Sequence, residues 1–297
     1  MAAGRGAHMS ARVCIALLAL VLPAAPAAAD PAAWRVTAAD GGDVTLLGSM
    51  HVLRPSDHPL PPSVDALIER AERIVMELDL DDVDAAAQQR TILTTAMLPQ
   101  GIVLADVVDA DVYRLVAASA GELGVDLTLL ERFEPWFLAI TLLDQGMRRL
   151  GFQGERGLEQ YVLGASQRAG KEIVGLETLE FQIGIFDSLP AEQQQAMLEQ
   201  TLAELDEAAT ALDAMVAAWR AGELETLSAE LLDDFAEFPG LYETLVTRRN
   251  DAWVPTLEEM LTDGRRHLVV VGALHLVGPG SVVELLRARG HDVERLR

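Results

Sequence analysis

Two short stretches near opposite ends of the chain share one frame, an apolar run that ends in Gly-x-x-His. The first contains Gly48 and His51, and the second contains Gly272 and His275. A strand that stops at a glycine and presents a histidine on the following turn places the imidazole at the sheet edge where ligand sites gather in α/β folds. Because imidazole is the commonest metal ligand in proteins, the repeated frame favours a divalent-metal site. The alternative is that each histidine only caps its strand.

Three glutamates are the candidate acidic partners of these histidines. Glu77 lies inside the apolar run 74–78, where a carboxylate is costly unless it binds metal or pairs with an arginine. Glu159 opens a predicted helix and Glu177 ends a predicted strand, so helix-dipole and capping roles are the alternatives for them. A metallohydrolase needs one carboxylate to hold the metal and another to accept a proton from the attacking water. The pattern does not divide these roles among the three glutamates.

Arg249 and Asn250 lie on a predicted helix that faces the sheet. A guanidinium and an amide beside a metal can hold a substrate carboxylate or stabilise a tetrahedral oxyanion. The alternative is a polar step on the protein surface. Trp136 and Trp253 are expected to be core aromatics.

Composition restricts the partners and the compartment. The 297 residues carry a net charge of −23, which argues against binding to nucleic acid or to anionic lipid. Arg5 and Arg12 precede an apolar run at 13–22 and an alanine-rich stretch, the pattern of a secretory signal peptide. We expect cleavage after Ala29, a periplasmic or secreted protein, and no remaining membrane span. Cys14 lies within the leader, so the exported chain has no cysteine.

The periodicity predicts a mixed α/β fold. Strands are expected at 34–37, 44–47, 74–78, 173–176, 267–271 and 293–296. Helices are expected at 63–73, 106–122, 135–149, 157–169, 191–219, 223–235, 240–262 and 280–289. Strands at both ends with helices between them indicate one central sheet built from both chain ends, with a helical insertion at about 81–262. We therefore expect one domain over residues 30–297, closed by a β-α-β unit.

Six motifs in order carry a resemblance to a known family. They are Gly48-x-x-His51, Glu77 on its strand, Pro135-Trp136, Gly175-Leu176-Glu177-Thr178, Arg249-Asn250-x-x-Trp253 and Gly272-x-x-His275-x-x-Gly278. Together they resemble the TraB/GumN family, whose animal relatives are the TIKI metalloproteases. Two positions differ from the family pattern: Glu134 stands where a basic residue is expected, and Glu159 stands where aspartate is frequent.

The resemblance implies a fold like that of erythromycin esterase and ChaN-like proteins. It also implies metal-dependent peptide hydrolysis that uses the two Gly-x-x-His turns, with manganese or cobalt favoured and zinc as a third candidate. We therefore expect an exported metal-dependent hydrolase that cleaves peptide or amide bonds in a peptide or small-molecule substrate. The expected metal ligands are His51, His275, Glu77 and Glu159, and the expected catalytic residues are Glu77, Glu177, Arg249 and Asn250. The alternative is a non-catalytic periplasmic protein that binds a peptide or haem.

Overall fold

Six strands form one mixed sheet in the part of the chain that the structure describes. The structure is a computed structural model, and it describes residues 31–37, 42–79, 81, 84–205, 208–233 and 239–296. The strands are β1 (Ala33–Thr37), β2 (Asp43–Ser49), β3 (Arg73–Leu78), β4 (Glu172–Glu177), β5 (Arg266–Gly272) and β6 (Asp292–Arg295). Their order in the sheet is β4-β3-β5-β2-β1-β6. β1 is antiparallel to both of its neighbours, whereas β2, β5, β3 and β4 pair in parallel.

The predicted mixed sheet, with strands from both ends of the chain, is confirmed. The first two strands form the expected antiparallel hairpin, in which Trp34 faces Leu46. β5 and β6 run parallel, as expected for a β-α-β unit, but β2 and β1 lie between them. The proposed leader and Asp40 and Gly41 of the hairpin turn lie outside the described residues.

The α-helices lie mainly between β3 and β5, with one before β3 and one after β5 among the described residues. They are α1 (Pro62–Arg70), α2 (Ala85–Thr95), α3 (Leu104–Val107), α4 (Ala110–Leu123), α5 (Pro135–Arg149), α6 (Leu158–Arg168), α7 (Leu179–Asp187), α8 (Ala191–Glu204), α9 (Ala208–Ala221), α10 (Leu224–Asp233), α11 (Pro239–Tyr242), α12 (Arg248–Thr262) and α13 (Val282–Ala288). A π-helical segment, Glu243–Thr247, joins α11 to α12.

Several helix boundaries differ from those expected. α1 begins at Pro62, the residue that follows its N-cap, because proline is well suited to the first helical position. The helix expected at 191–219 is two helices, α8 and α9. α2 and α7 were not predicted, since α2 is rich in alanine and glutamine and α7 is apolar on most sides. Neither has the one-sided apolar stripe that marks a helix in sequence.

The core encloses the central strands and holds their ends in place. Every residue of β2 is buried, as are the last six residues of β5. Trp219 of α9 is fully buried and donates its indole N–H to the Gly48 carbonyl at 2.7 Å. Burial of one large apolar side chain contributes about 1.5–3 kcal/mol to the stability of the fold. Because β2 and β5 are buried along almost their whole length, they are held firmly in place and form a rigid base for the turns that follow them.

A second apolar cluster lies within the helical region. Its fully buried members, which come from α3, α4, α5 and α8, are Leu104, Val116, Ala120, Leu138, Ala139, Leu142 and Leu198. None of the helices in the described ranges has both the length and the apolar character needed to cross a lipid bilayer.

Candidate active site

The carboxyl ends of the parallel strands bring the predicted site residues to one edge of the sheet. His51 follows β2 and His275 follows β5, while Glu77 and Glu177 lie in the last two positions of β3 and β4. Neighbouring parallel strands end on the same side of a sheet, which is where α/β folds place their ligand sites. Two turns that are more than 200 residues apart in sequence therefore meet.

His275 is buried and held in one tautomer by Asn250. Nδ2 of Asn250 donates to the Gly280 carbonyl at 2.8 Å, so Oδ1 accepts from Nδ1 of His275 at 2.7 Å. The Nε2 lone pair of His275 then faces the site, 3.2 Å from Nη1 of Arg249 and 3.9 Å from Oε1 of Glu77. Burial lowers the pKa of His275 to about 3, so the ring is neutral at physiological pH.

Arg249 joins the two strand-borne carboxylates. Its Nη2 donates to Oε2 of Glu77 at 2.6 Å and to Oε2 of Glu177 at 2.8 Å. Its Nε donates to Oε1 of Glu177 at 2.9 Å, and Nη1 donates to the Leu245 carbonyl at 3.0 Å. The indole N–H of Trp253 also donates to Glu177, at 2.9 Å. Glu177 is therefore enclosed by donors.

Glu77 stays ionised although it is largely buried. Burial by itself raises the pKa of Glu77, but the charges of His275, His51 and Arg249 and the Gly272 N–H together lower it to about 2. His275 is uncharged above its own pKa of about 3, so near neutral pH the pKa of Glu77 is lowered by the charges of His51 and Arg249 and by the Gly272 N–H, which donates to Oε1 at 2.8 Å. The carboxylate is an acceptor across the physiological range.

His51 lies at the open side of the site and contacts a different carboxylate. Its Nδ1 is 2.5 Å from Oε1 of Glu159, and the Ser49 hydroxyl donates to the same oxygen. The charge of Glu159 raises the pKa of His51 to about 9 against the opposing effect of desolvation. Because 67% of the His51 side chain is exposed, water screens part of this attraction. Nδ1 carries the proton, which leaves Nε2 as the atom that can bind a metal.

Close packing of α6 against the His51 turn fixes the position of Glu159. The Leu158 N–H donates to the Met50 carbonyl at 3.0 Å. A Cβ on Gly157 would lie 2.1 Å from the His51 carbonyl oxygen, so only glycine permits this approach. Burial opposes ionisation of Glu159, but the His51 charge and hydrogen bonds lower the pKa of its carboxyl.

The donor chemistry around Gly272 suits a divalent metal. A Cβ on Gly272 would lie 3.1 Å from Nε2 of His51 and 3.4 Å from Oε1 of Glu77, so the absent side chain leaves free space between these two atoms. Two imidazole nitrogens and a carboxylate suit manganese, cobalt, iron or zinc. In the described part of the chain, no three His, Cys, Asp or Glu side chains are already arranged as a metal cage, and Arg249 contacts both Glu77 and His275.

A cavity of about 240 Å³ opens beside these residues. Its lining residues are His51, Met76, Glu77, Leu78, Gly154, Glu159, Gln160 and Gln182. The cavity is therefore the place where a substrate or ligand would meet the site.

Comparison with known proteins agrees with the motifs. The model of the TraB/PrgY/gumN family matches residues 32–295. The chain belongs to this family. It is 27% identical over 242 residues to "Uncharacterized protein YbaP" of Escherichia coli (strain K12), covering 82% of this chain and 87% of the relative, and a protein of the same name from Shigella flexneri gives the same values. No solved structure matches the chain, so the expected likeness to erythromycin esterase and ChaN-like proteins stays a prediction.

In this TraB/PrgY/gumN chain, the predicted site residues take three kinds of position. His51 and Glu77 face the space beside Gly272, and Nε2 of His275 lies 3.9 Å from Oε1 of Glu77. Arg249 and Glu177 form the ion pair that supports Glu77, so Glu77 has the arginine partner considered as its alternative role. The other two predicted residues lie behind the histidines: Glu159 contacts Nδ1 of His51, and Asn250 contacts Nδ1 of His275.

Two polar residues of the site were not among those predicted. Ser49 donates to Glu159, and Nε2 of Gln182 donates to Glu77 at 3.2 Å and to Glu177 at 3.0 Å. Ser49 lies within the first Gly-x-x-His frame, so its position was a usable signal. Gln182 lies on α7, which has no clear periodicity in the sequence, and nothing there singles it out.

Proposed function

We propose that the protein is an exported, metal-dependent hydrolase that cleaves peptide or amide bonds. The observation that carries this proposal is the approach of His51 Nε2 and Glu77 Oε1 to the space left by Gly272, with His275 Nε2 3.9 Å from the same carboxylate oxygen. The signal-like leader supports export to the periplasm or the medium. Membership of the TraB/PrgY/gumN family agrees with the fold and does not by itself identify a reaction.

His51, Glu77 and His275 would hold the metal in this proposal, with manganese or cobalt favoured and zinc as a third candidate. A bound divalent ion would supply Lewis acidity, which lowers the pKa of water and polarises a carbonyl group. Because His51 is protonated near neutral pH, metal binding would displace a proton from it. Metal affinity would therefore increase as the pH rises toward 9.

The remaining residues position these ligands and handle the proton. Asn250 and Glu159 each accept from Nδ1 of a histidine, which directs Nε2 toward the site. Glu159 also lines the cavity and, in the described part of the chain, has no arginine partner. Glu159 is therefore our choice for the group that accepts the proton of the attacking water. Arg249 helps to keep Glu77 ionised and Glu177 holds Arg249 in place, and the burial of both residues favours a positioning role over direct substrate contact.

A second candidate is a periplasmic protein that binds a peptide or haem without turnover. The observation in its favour is that Arg249 already forms ion pairs with both Glu77 and Glu177 without a metal. On this alternative the cavity beside His51 holds a ligand, and no product is released.

A peptidase assay separates the two candidates. The protein, expressed with its own leader, would be stripped of metal, reloaded with manganese, cobalt or zinc, and incubated with a library of internally quenched peptides. We expect hydrolysis in the reloaded samples, a loss of at least about 100-fold in His51→Ala, and little change in His291→Ala. His291 contacts Glu258 at the opposite end of the fold, so it is a matched control. Peptide binding without hydrolysis under every metal condition would contradict the hydrolase proposal.

A further inference from the structure

The cavity beside His51 presents hydrogen-bond acceptors to its occupant. Its polar lining consists of His51, the carboxylates of Glu77 and Glu159, and the amides of Gln160 and Gln182. Neither lysine nor arginine is among the lining residues in the described part of the chain. A ligand that brings N–H groups would match this surface, whereas a carboxylate would enter a site where the carboxylates of Glu77, Glu159 and Glu177 outnumber the cations Arg249 and His51 by one.

The guanidinium of Arg249 is not available to a ligand in the cavity. Arg249 is largely buried, and its Nε, Nη1 and Nη2 atoms all donate within the protein, to Glu177, Leu245, His275 and Glu77. A guanidinium with every nitrogen engaged can receive a substrate carboxylate only by giving up one of these contacts. This arrangement disfavours an enzyme that recognises a free carboxyl terminus through Arg249.

The orientation of the Gln182 amide follows from the two carboxylates that it contacts. Oε2 of Glu77 and Oε2 of Glu177 each accept from Nε2 of Gln182 and from Nη2 of Arg249. Rotating the amide by a half turn would place its oxygen against both carboxylates, which is repulsive. Oε1 of Gln182 therefore points away from them. It has no hydrogen-bond partner in the described part of the chain, and the residue lines the cavity.

We propose that Gln182 is a substrate-binding residue whose Oε1 accepts a hydrogen bond from an amide N–H or an ammonium group, and that the cavity excludes a carboxylate at that position. The substrate class is thus a neutral or cationic segment that bears N–H groups, such as an internal peptide bond or an amino terminus. The net charge of −23 adds long-range repulsion of anions. The proposal rests on the proposed function for the reaction that follows binding, but binding itself can be measured without turnover.

The test uses two probes that differ in one group. N-acetyl-alanyl-alaninamide is neutral and ends in an N–H donor, whereas N-acetyl-alanyl-alanine ends in a carboxylate. Binding of each to the metal-free protein would be measured by chemical-shift titration. We expect the amide to bind at least about tenfold more tightly than the acid, with the difference decreasing at high ionic strength.

Two substitutions separate the acceptor role of Gln182 from its structural role. Gln182→Lys keeps a donor for Glu77 and Glu177 but removes the acceptor and adds a positive charge. We expect it to weaken amide binding about 3- to 10-fold and to strengthen acid binding. Gln182→Met removes both functions and should weaken amide binding to a similar degree. Gln193→Met, an exposed position on α8, is the control and should bind both probes as the wild type does.

The outcomes are distinct for this proposal and for the hydrolase proposal. Equal binding of the two probes by the wild type, unchanged amide binding in Gln182→Lys, or no binding of either probe at millimolar concentration would overturn the assignment of Gln182. Amide-selective binding that depends on Gln182, in a protein that hydrolyses no peptide, would support the assignment and contradict the hydrolase. Efficient hydrolysis of peptides with a free carboxylate next to the cleaved bond would support the hydrolase proposal and contradict the assignment of Gln182.

Discussion

Replacing Arg249 with methionine tests whether the guanidinium holds the two strand-borne carboxylates in place. The Arg249 side chain is 10% exposed, and its partners Glu77 and Glu177 are 16% and 6% exposed. Removing one partner from a buried ion pair costs about 3–5 kcal/mol. Because Glu77 keeps the Gly272 N–H and Glu177 keeps the Trp253 indole, we expect a loss of about 3 kcal/mol in the free energy of unfolding at pH 7, the lower end of that range.

A lower pH should reduce the difference in the free energy of unfolding between the wild type and Arg249→Met. Without Arg249, burial and repulsion by the Glu177 carboxylate would raise the pKa of Glu77 above its unfolded-state value. A raised folded-state pKa destabilises the fold at neutral pH, and the penalty decreases as the pH falls through that pKa. In the wild type the pKa of Glu77 is lowered from 4.5 to about 2, so its stabilisation is fully present above pH 4.5 and is lost as the pH falls toward 2. The two proteins should therefore differ less at pH 5 than at pH 7.

Urea unfolding of the metal-free proteins, followed by circular dichroism at pH 7 and pH 5, measures both effects. The matched control is Arg248→Met, because Arg248 is the adjacent residue on α12 but is 66% exposed and pairs with Glu243. A surface pair of this kind contributes about 0–1 kcal/mol. If Arg249→Met lost less than about 1 kcal/mol in the free energy of unfolding, or if its difference from the wild type were as large at pH 5 as at pH 7, Arg249 would not be holding the two carboxylates in place.

Three further predictions concern neighbouring residues. Because burial lowers the pKa of His275 from 6.5 to about 3, the metal-free protein should lose stability as the pH falls below 6.5, by up to about 1.4 kcal/mol per pH unit. In urea melts between pH 6 and pH 4.5, the free energy of unfolding of His275→Gln should depend less steeply on pH than that of the wild type. The same steepness in both proteins would contradict this prediction. Gly272→Ala places a Cβ 3.1 Å from Nε2 of His51. Calorimetric titration should therefore show at least about a tenfold loss of metal affinity, with the fold retained. Unaltered metal affinity would place the metal elsewhere. In Gly157→Ala the new Cβ does not fit beside the His51 carbonyl, so this variant should have a lower melting temperature in a calorimetric scan. Gly154 has open space around it, so Gly154→Ala should keep the wild-type melting temperature. Equal melting temperatures for the two variants would contradict the close packing of α6 against the His51 turn.

The grouping of His51, Glu77 and His275 at one edge of the sheet was predictable because it follows from strand polarity. Two apolar runs that end in Gly-x-x-His and one run that contains Glu77 were recognisable from residue types alone. The rule that parallel strands end at a common edge then places His51, Glu77 and His275 together. The structure has this arrangement, with Glu177 on the adjacent strand. Periodicity also gave the hairpin and most of the long helices, since their apolar faces repeat regularly.

The partners of these residues could not be predicted in the same way. Whether Glu159 faces a metal or Nδ1 of His51 depends on how closely α6 approaches the turn, which is set by tertiary packing around Gly157. Asn250 and Arg249 are consecutive on α12 and were grouped as substrate contacts. The structure places Asn250 against His275 and Arg249 against the two carboxylates. Gln182 carried no signal because α7 has no amphipathic pattern.

The metal content of the protein shows directly whether the two Gly-x-x-His turns hold a metal ion. The purified protein would be stripped of metal, reloaded with manganese, cobalt or zinc, and analysed by inductively coupled plasma mass spectrometry beside a His51→Ala/His275→Ala double variant and the His291→Ala control. We predict close to one metal ion per chain in the wild type and the control, and loss of that ion in the double variant. No retained metal in the wild type, or equal metal in the double variant, would contradict a metal centre built on the two Gly-x-x-His turns.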